Sequence, residues 1–404
     1  MLPADYTRSE FLAYPQLVRF EQLMGQAGHE PVLLVKGSTL LLKYVALGVR
    51  MRLVLTRFNE HLLYALRVFD DPDHPTTLWS VAERDHELAA LRAVSSGEPC
   101  RIFLFNEVAV NVAWAEVSIG IAADDLNRCL EGAVVGLTDQ ASLEPAVSAF
   151  LDGLDSTAAD RTDAISLDIP GITKWTPVRN YLITSRSGTS LLDLFDNDEG
   201  RQQERIGVWL TDSLQSVGAL QSPQVPKGKG TRELTDILVS YEHGSIFIES
   251  KPLAILVRDA LPNRSVLADN TARHVRKAVS QLRGAIRKVK AGAPVTTANG
   301  DPVDIDRAEP THAIVLIPEL SLIQSPDAYG VEFIREFMQA TGGFLHLLDP
   351  AELLRVVQAA EMIAARGTTT TPMMALDYYL IERAKKAIDA GTLCFEMLLR
   401  FEGE

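Results

Sequence analysis

Leu234-Thr-Asp-Ile-Leu-Val-Ser240, Tyr241-Glu-His-Gly244 and Ser245-Ile-Phe-Ile-Glu-Ser-Lys251 read in succession as a strand, a turn closing on glycine, and a second strand. If Ser240 pairs with Ser245, every antiparallel pair sums to 485, and Asp236 stands opposite Glu249. Directly opposed residues on one face have Cβ atoms about 4.5–5.5 Å apart, so like charges placed there repel unless something positive sits between them. A divalent cation would resolve the conflict. Period-two alternation puts Lys251 on the face of Glu249, roughly 7 Å along the strand, and turns Ser250 the other way, so that it offers its backbone carbonyl. Two carboxylates, a carbonyl and waters are the oxygen ligands that suit Mg²⁺, which keeps much of its water shell.

At these residues the chain resembles the PD-(D/E)XK nuclease superfamily, whose signature is an acidic residue on one core strand and Glu-x-Lys on the next. Thr235 stands where many members have Pro, a departure that is common among them. The resemblance covers roughly residues 200 to 350. Members usually carry a Glu on the helix before the first strand, and Arg201-Gln-Gln-Glu-Arg-Ile-Gly-Val-Trp-Leu-Thr-Asp-Ser-Leu214 offers Glu204 there. They often carry a Gln on the helix after Glu-x-Lys, and Gln281 matches that position. The resemblance thus implies a Mg²⁺-dependent endonuclease, Mn²⁺ substituting, with Asp236, Glu249, Lys251, Glu204 and Gln281 catalytic and Asp236, Glu249, Ser250 and Glu204 holding the metal. DNA rather than RNA is the expected substrate, and a homo-oligomer and a restriction or phage-defence role are carried over from the family. A Glu-x-Lys triplet alone is a weak signal, because a Glu and a Lys on one strand face are ordinarily a solvated ion pair. A decayed nuclease fold that binds nucleic acid or a partner is the alternative.

The segment after the triplet supplies a second argument. Residues 271–290 contain seven Lys or Arg and no acid. Val275, Val279, Leu282, Ile286 and Val289 form a narrow apolar stripe on a helical wheel. Arg273, Arg276, Lys277, Arg283, Arg287, Lys288 and Lys290 lie opposite, the expected nucleic-acid contacts being Arg273, Arg276, Lys277, Arg283, Arg287 and Lys288. Like charges at these spacings destabilise a helix that lacks an anionic partner. His274 and Gln281 share the flank between stripe and basic face, and His274 by itself reads as an ordinary core-edge residue.

Charge along the chain points to a local site. Residues 1–190 hold 16 basic and 24 acidic side chains, residues 191–300 hold 15 and 12, and residues 301–404 hold 8 and 17, so the only positive segment contains the motif. An overall charge of −14 argues against indiscriminate coating of polyanions. Cys100, Cys129 and Cys394 are too few and too far apart for a disulfide framework or a Cys-x-x-Cys zinc site, so a reduced, cytoplasmic setting is expected. No signal-peptide pattern opens the sequence, and Lys36 and Lys43 interrupt the apolar stretch from Pro31 to Val49, so no membrane span is expected.

With 404 residues and 47% apolar content, the chain can form two cores. We expect an α+β domain of unknown function over residues 1–185, as sensor or substrate recognition, followed over 186–404 by an α/β restriction-endonuclease-like (αβββαβ) domain with C-terminal helices. In the first, runs between 31 and 82 suggest an antiparallel meander, followed by a helix near 82–94, strands at 101–105 and 108–119, and a helix near 141–154. A connector is expected at 155–163 or 185–200. In the second we expect a helix over 201–220, the hairpin, a third strand at Leu253 to Val257, the basic helix, a strand at 311–318, a helix from 331, a strand at 344–349, and helices through Leu399. Lys227-Gly-Lys-Gly230 reads as a flexible connector, since it lacks phosphate-loop spacing. His312 and His346 read as buried strand residues, and the remaining histidines show no metal spacing.

Overall fold

A computed structural model describes residues 5–14, 16–25, 28–136, 140–157, 164–172, 174–186, 188–214, 218–242, 244–258, 260–307 and 311–397. The chain is mixed α/β and divides into two compact units, Met1–Val178 and Arg179–Glu404. The division falls at neither expected connector. A helix, Gln140–Thr157, runs into the first of those stretches, and a strand, Gly188–Leu192, occupies part of the second; residues 158–163 lie outside the described residues.

The first unit holds two sheets. One orders Leu17–Met24, His29–Lys36, Cys100–Phe105, Asn111–Val117 and Thr176–Pro177; the other orders Thr76–Val81, His61–Val68, Met51–Phe58 and Ala164–Ile169. The expected meander therefore covers only residues 51–81. Pro31 to Lys36 leaves it to pair in parallel with Arg101–Phe105. A parallel pair needs a long crossover, and helix Thr39–Ala46 and the meander itself provide it. On strand Leu17–Met24 the fully buried Arg19 guanidinium is held by Glu10, Glu83 and Glu87, as a charge removed from water requires.

The main elements of the second unit are α1 (Glu199–Asp212), β1 (Leu220–Gln221), β2 (Ile237–Tyr241), β3 (Gly244–Ser250), α2 (Arg264–Lys290), β4 (Thr311–Leu316), α3 (Val331–Thr341), β5 (Phe344–Leu348), α4 (Pro350–Arg366) and α5 (Pro372–Ala390). The sheet runs β1-β2-β3-β4-β5, antiparallel across the first two junctions and parallel across the last two. Ser240 pairs with Ser245 and Ile237 with Ile248, the register in which partners sum to 485.

The expected third strand at Leu253 to Val257 does not form. Pro252 cannot donate to a ladder, and the N–H groups of Ile255 and Leu256 go instead to the Glu199 carboxylate, at 2.5 and 2.7 Å. The strand beside β2 comes from upstream, as β1. Helix α1 stops at Asp212, short of the expected 220, and among the described residues no helix follows Ala390. Lys227 to Gly230 is the turn of a small hairpin, not a loose connector, with Gly228 at φ +61°.

Two faces of this sheet are covered. Val275, Val279, Leu282, Ile286 and Val289 of α2 form one core with Leu238, Phe247, Ala313, Val315, Leu345 and Leu347, so the stripe read from the sequence is the buried face of the helix. On the other face α1 lies close, with Gln203 Nε2 donating to the Leu316 carbonyl at 3.0 Å. Gly207 permits that approach, since a Cβ there would stand 2.8 Å from Ile237 Cδ1 and 3.3 Å from Leu316 Cδ2. Gly207→Ala should be close to neutral, a gain of about 1 kcal/mol in helix propensity offsetting the crowding, whereas Gly207→Val should cost about 1–3 kcal/mol in a denaturant titration. Equal stability of the two variants would show that the contact is not tight.

Candidate active site

Asp236 and Lys251 flank the paired segments, each one residue outside its strand. Thr235 fixes the approach to β2 by donating from Oγ1 to the Ile248 carbonyl at 2.8 Å, a bond that Pro could not make. Asp236 Oδ2 accepts from the Ser250 amide at 2.6 Å and lies 3.5 Å from Lys251 Nζ. Lys251 Nζ donates to Glu249 Oε2 at 2.7 Å, and its own amide donates to the Leu316 carbonyl at 2.8 Å, extending the junction of β3 and β4. Lys251, at the end of the hairpin, thus stands between the two acids. Ser250 turns the opposite way and is buried.

Glu204 reaches the same end of the sheet from α1. Gln221 Nε2 lies 3.5 Å from Glu204 Oε2. Burial and then the charge of Asp236 push the Glu204 carboxyl up to about 7. Glu249 is raised by the same two causes in the same order, with Lys251 opposing them. Burial works against the Lys251 ammonium, but Glu249 and Asp236 outweigh it and raise its pKa. Two acids, Asp236 and Glu249, share one lysine.

Glu199, which the sequence did not single out, and His274 complete the surroundings. Glu199 anchors the loop after Lys251, as described above. His274 of α2, read as an ordinary core-edge residue, has its pKa lowered by burial and then by the charges of Lys251, Arg273 and Lys277, with the Pro252 backbone opposing them. Its Nδ1 is buried without a partner. Gln281 is not in that position: it is exposed and two helical turns, about 10 Å, further along α2. The direction of α2 explains this, since Arg264 at its start pairs with Glu319 beyond β4, and the Val289 carbonyl near its end accepts from Arg307 before β4. Arg273, Arg276 and Lys277 therefore lie toward the carboxylates and Arg287 and Lys288 toward the opposite edge, while Arg283 is engaged by Glu336 at 3.8 Å and by the Phe337 ring.

A groove of about 830 Å³ runs past Glu204, lined also by Arg186, Arg201, Gln221, Ser222 and Asn299. The two arginines share this lining with the acids Asp198, Glu204 and Asp301, a mixed set that only the fold brings together.

Asp236 and Glu249 are the carboxylates that could hold Mg²⁺, with the Ser250 carbonyl as the further oxygen donor expected from the sequence, and the upward shifts of Glu249 and Glu204 come first from burial and then from the charge of Asp236. The fit is of two carboxylates. Among the described residues no group of three or more His, Cys, Asp or Glu is gathered closely enough to hold a metal ion, so Glu204 stands apart from the pair.

At the opposite edge of the sheet the two strand histidines form a buried chain. His312 Nδ1 lies 3.1 Å from His346 Nε2, and His312 Nε2 lies 2.9 Å from Asp377 Oδ1, which also accepts from Tyr241 Oη at 2.6 Å. In the tautomer that lets Asp377 accept, a neutral His312 would donate from Nε2 and accept at Nδ1 from His346. Both imidazoles are satisfied within the core.

Comparison with protein-family models, curated proteins and solved structures finds no match. The functional reading rests on the geometry.

A carboxyl whose native pKa exceeds its unfolded value binds its proton more tightly when folded. Glu204 therefore lowers stability as pH rises from the ordinary 4.5 through about 7, and its contribution is level beyond that. In metal-free buffer Glu204→Gln should flatten this decline, read as denaturation midpoints at about pH 5 and about pH 8. An unchanged decline would mean that Glu204 is not held in the crowded, buried environment described.

Proposed function

We propose that the second unit is a metal-dependent nuclease of the PD-(D/E)XK type, with a restriction-endonuclease-like core built from α1, β1 to β3, α2 and β4. The observation that carries this reading is the trio at one sheet end, a buried Glu249 and a partly buried Asp236 with the Lys251 ammonium 2.7 and 3.5 Å from them. A structural ion pair needs one acid for one base, and the second acid is the excess that a phosphodiesterase requires. The helix-strand order supports the same reading, with two antiparallel junctions, a crossover helix and a parallel strand.

In this mechanism Asp236, Glu249 and the Ser250 carbonyl would hold Mg²⁺, or Mn²⁺ in its place. When bound, the ion supplies Lewis acidity toward a phosphoryl oxygen and lowers the pKa of a water molecule. The Lys251 ammonium, with its pKa raised, stays protonated at neutral pH and stabilises charge on the phosphorus oxygens or orients the attacking water. Glu204, at about 7, exchanges a proton near neutral pH and is suited to accept one from water. Arg186 and Arg201 in the groove, and Arg273, Arg276 and Lys277 on α2, would neutralise backbone phosphates. DNA is the proposed substrate, and a restriction or phage-defence role belongs to the same proposal.

Cleavage of supercoiled plasmid, linear duplex and single strands with Mg²⁺ or Mn²⁺ tests the reading. Wild type should cut, and Asp236→Ala, Glu249→Gln and Lys251→Ala should each lose activity by at least about a hundredfold while staying folded. Retained cutting in a clean Glu249→Gln preparation would sink the assignment. No cutting on any substrate, with salt-sensitive binding intact, would favour a nucleic-acid-binding module.

The direction of α2 gives a separate expectation. Lys277→Ala should weaken nucleic-acid binding and reduce the slope of log affinity against log salt by about 1, whereas Lys288→Ala at the far end should change the slope much less. Equal losses would show that nucleic acid tracks the whole helix.

A further inference from the structure

Between Ser222 and Asp236 the chain leaves the carboxylate site and returns to it through an antiparallel hairpin, Gln224–Lys227 with Gly230–Glu233. Its root is built into the site. The Ser222 amide donates to the Asp236 carbonyl and the Leu234 amide to the Pro223 carbonyl, each at 2.8 Å. Val225 and Leu234 are buried in the core that α2 covers, and Gln224 pairs with Thr296. Ser222, at φ +50°, also lines the groove that runs past Glu204. After burial and Asp236, the charge of Glu233 adds to the upward shift of both Glu204 and Glu249.

Beyond this root the hairpin projects. Every residue from 226 to 233 is exposed. Lys227 pairs with Gly230, so the loop is Gly228 and Lys229, with a positive φ at Gly228 alone, as in the two-residue Gly-X turn that matches the twist of the strands. A Cβ added at Gly228 or Gly230 would meet nothing within 4 Å, so the tip stands clear of the protein around it. Residues 224–232 carry Lys227, Lys229 and Arg232 and no acid, Glu233 at the root being the first. Alternation puts Lys227 and Arg232 on one face and Glu233 on the other. Among the described residues none of the three cations forms an ion pair or a side-chain hydrogen bond.

The dimensions select a partner. From Val225 to the tip at Gly228 is three residues, about 10 Å along a strand, and the two strands lie about 4.8 Å apart. The major groove of B-DNA, about 12 Å wide and about 8.5 Å deep, admits a two-stranded ribbon of this size. The major groove of A-form RNA is too narrow for side chains to read. Residues 224–233 include no aromatic side chain on which an unstacked base of a single strand could lie.

We propose that this hairpin is a DNA-binding arm that enters the major groove of a B-form duplex beside the phosphodiester presented to Asp236 and Glu249. Lys227 and Arg232 meet the duplex from one face of the ribbon and Lys229 from its tip. The proposal rests on the nuclease reading for nucleic acid as the partner, and it adds the duplex form and the groove.

Binding by the full chain is measured in metal-free buffer, with one sequence offered as duplex DNA, single-stranded DNA and duplex RNA. Duplex DNA should bind at least tenfold tighter than either of the others. The combined variant Lys227→Ala, Lys229→Ala, Arg232→Ala should bind duplex DNA at least tenfold more weakly, with the slope of log affinity against log salt reduced by about 2 to 3. At saturation the wild type should shield guanine N7 atoms, which lie in the major groove, from methylation. Lys229→Glu, a single change at the exposed tip, carries the test if the combined variant does not fold. Absence of duplex binding, equal affinity for the three nucleic acids, affinity unchanged in the folded variants, or unshielded N7 atoms would each overturn the proposal. Cleavage is a separate readout. Hairpin-dependent duplex binding by a chain that cuts nothing would remove the nuclease reading and leave this one, whereas metal-dependent cutting with binding unchanged in the variants would do the reverse.

Discussion

Asp236 and Glu249 are held together at the open end of one hairpin, and the repulsion of two acids in that place is the constraint to which their surroundings respond. Moving either residue by one position would turn it to the opposite face. The register is therefore fixed at several points: the five pairs from Ile237–Ile248 to Tyr241–Gly244, the Thr235 hydroxyl on Ile248, and the Ser250 amide on Asp236. Each bond that fixes the register also fixes the distance between the acids. Lys251 then supplies one positive charge to Asp236 and Glu249. Burial, and after it the charge of Asp236, raises the Glu249 and Glu204 carboxyls, which is the state expected of groups that act on protons or on a cation near neutral pH.

What could be read from the sequence was local in origin. The hairpin register follows from a turn and a period of two, and the buried face of α2 from a period of 3.6, because these depend on neighbours along the chain. The missing third strand depends on Glu199, more than fifty residues upstream of the loop whose amides it takes. No pattern within residues 252–257 reveals such a partner. The assignment of Gln281 failed for a related reason. A helical wheel places His274 and Gln281 on one flank but says nothing about which end of the helix lies over the carboxylates. That is decided by the Arg264–Glu319 and Arg307–Val289 contacts, which the topology makes.

The same distinction applies to the two strand histidines. Burial of His312 and His346 was legible from the apolar runs around them, and both are within the core. Their partners were not legible, because Asp377 comes from α5 and Tyr241 from β2, 136 residues apart. This buried chain joins β2, β4, β5 and α5 at the sheet edge away from the acids. With every hydrogen bond in the chain satisfied, it holds that edge at low cost and leaves the excess charge concentrated at the other end.

Helix α1 connects these observations. Its first half carries Glu199, Gln203 and Glu204 toward the hairpin end, and its last residues, Trp209 and Asp212, form a wall of a second cavity. Gly207 lies between them at the closest approach to Ile237 and Leu316. A helix packed so closely at its middle cannot slide without breaking that contact, since packed interiors resist small displacements. The same packing therefore positions Glu204 near Asp236 and holds Asp212 against Ser185. Polar groups at both ends of one helix are buried because its middle is apolar and tight.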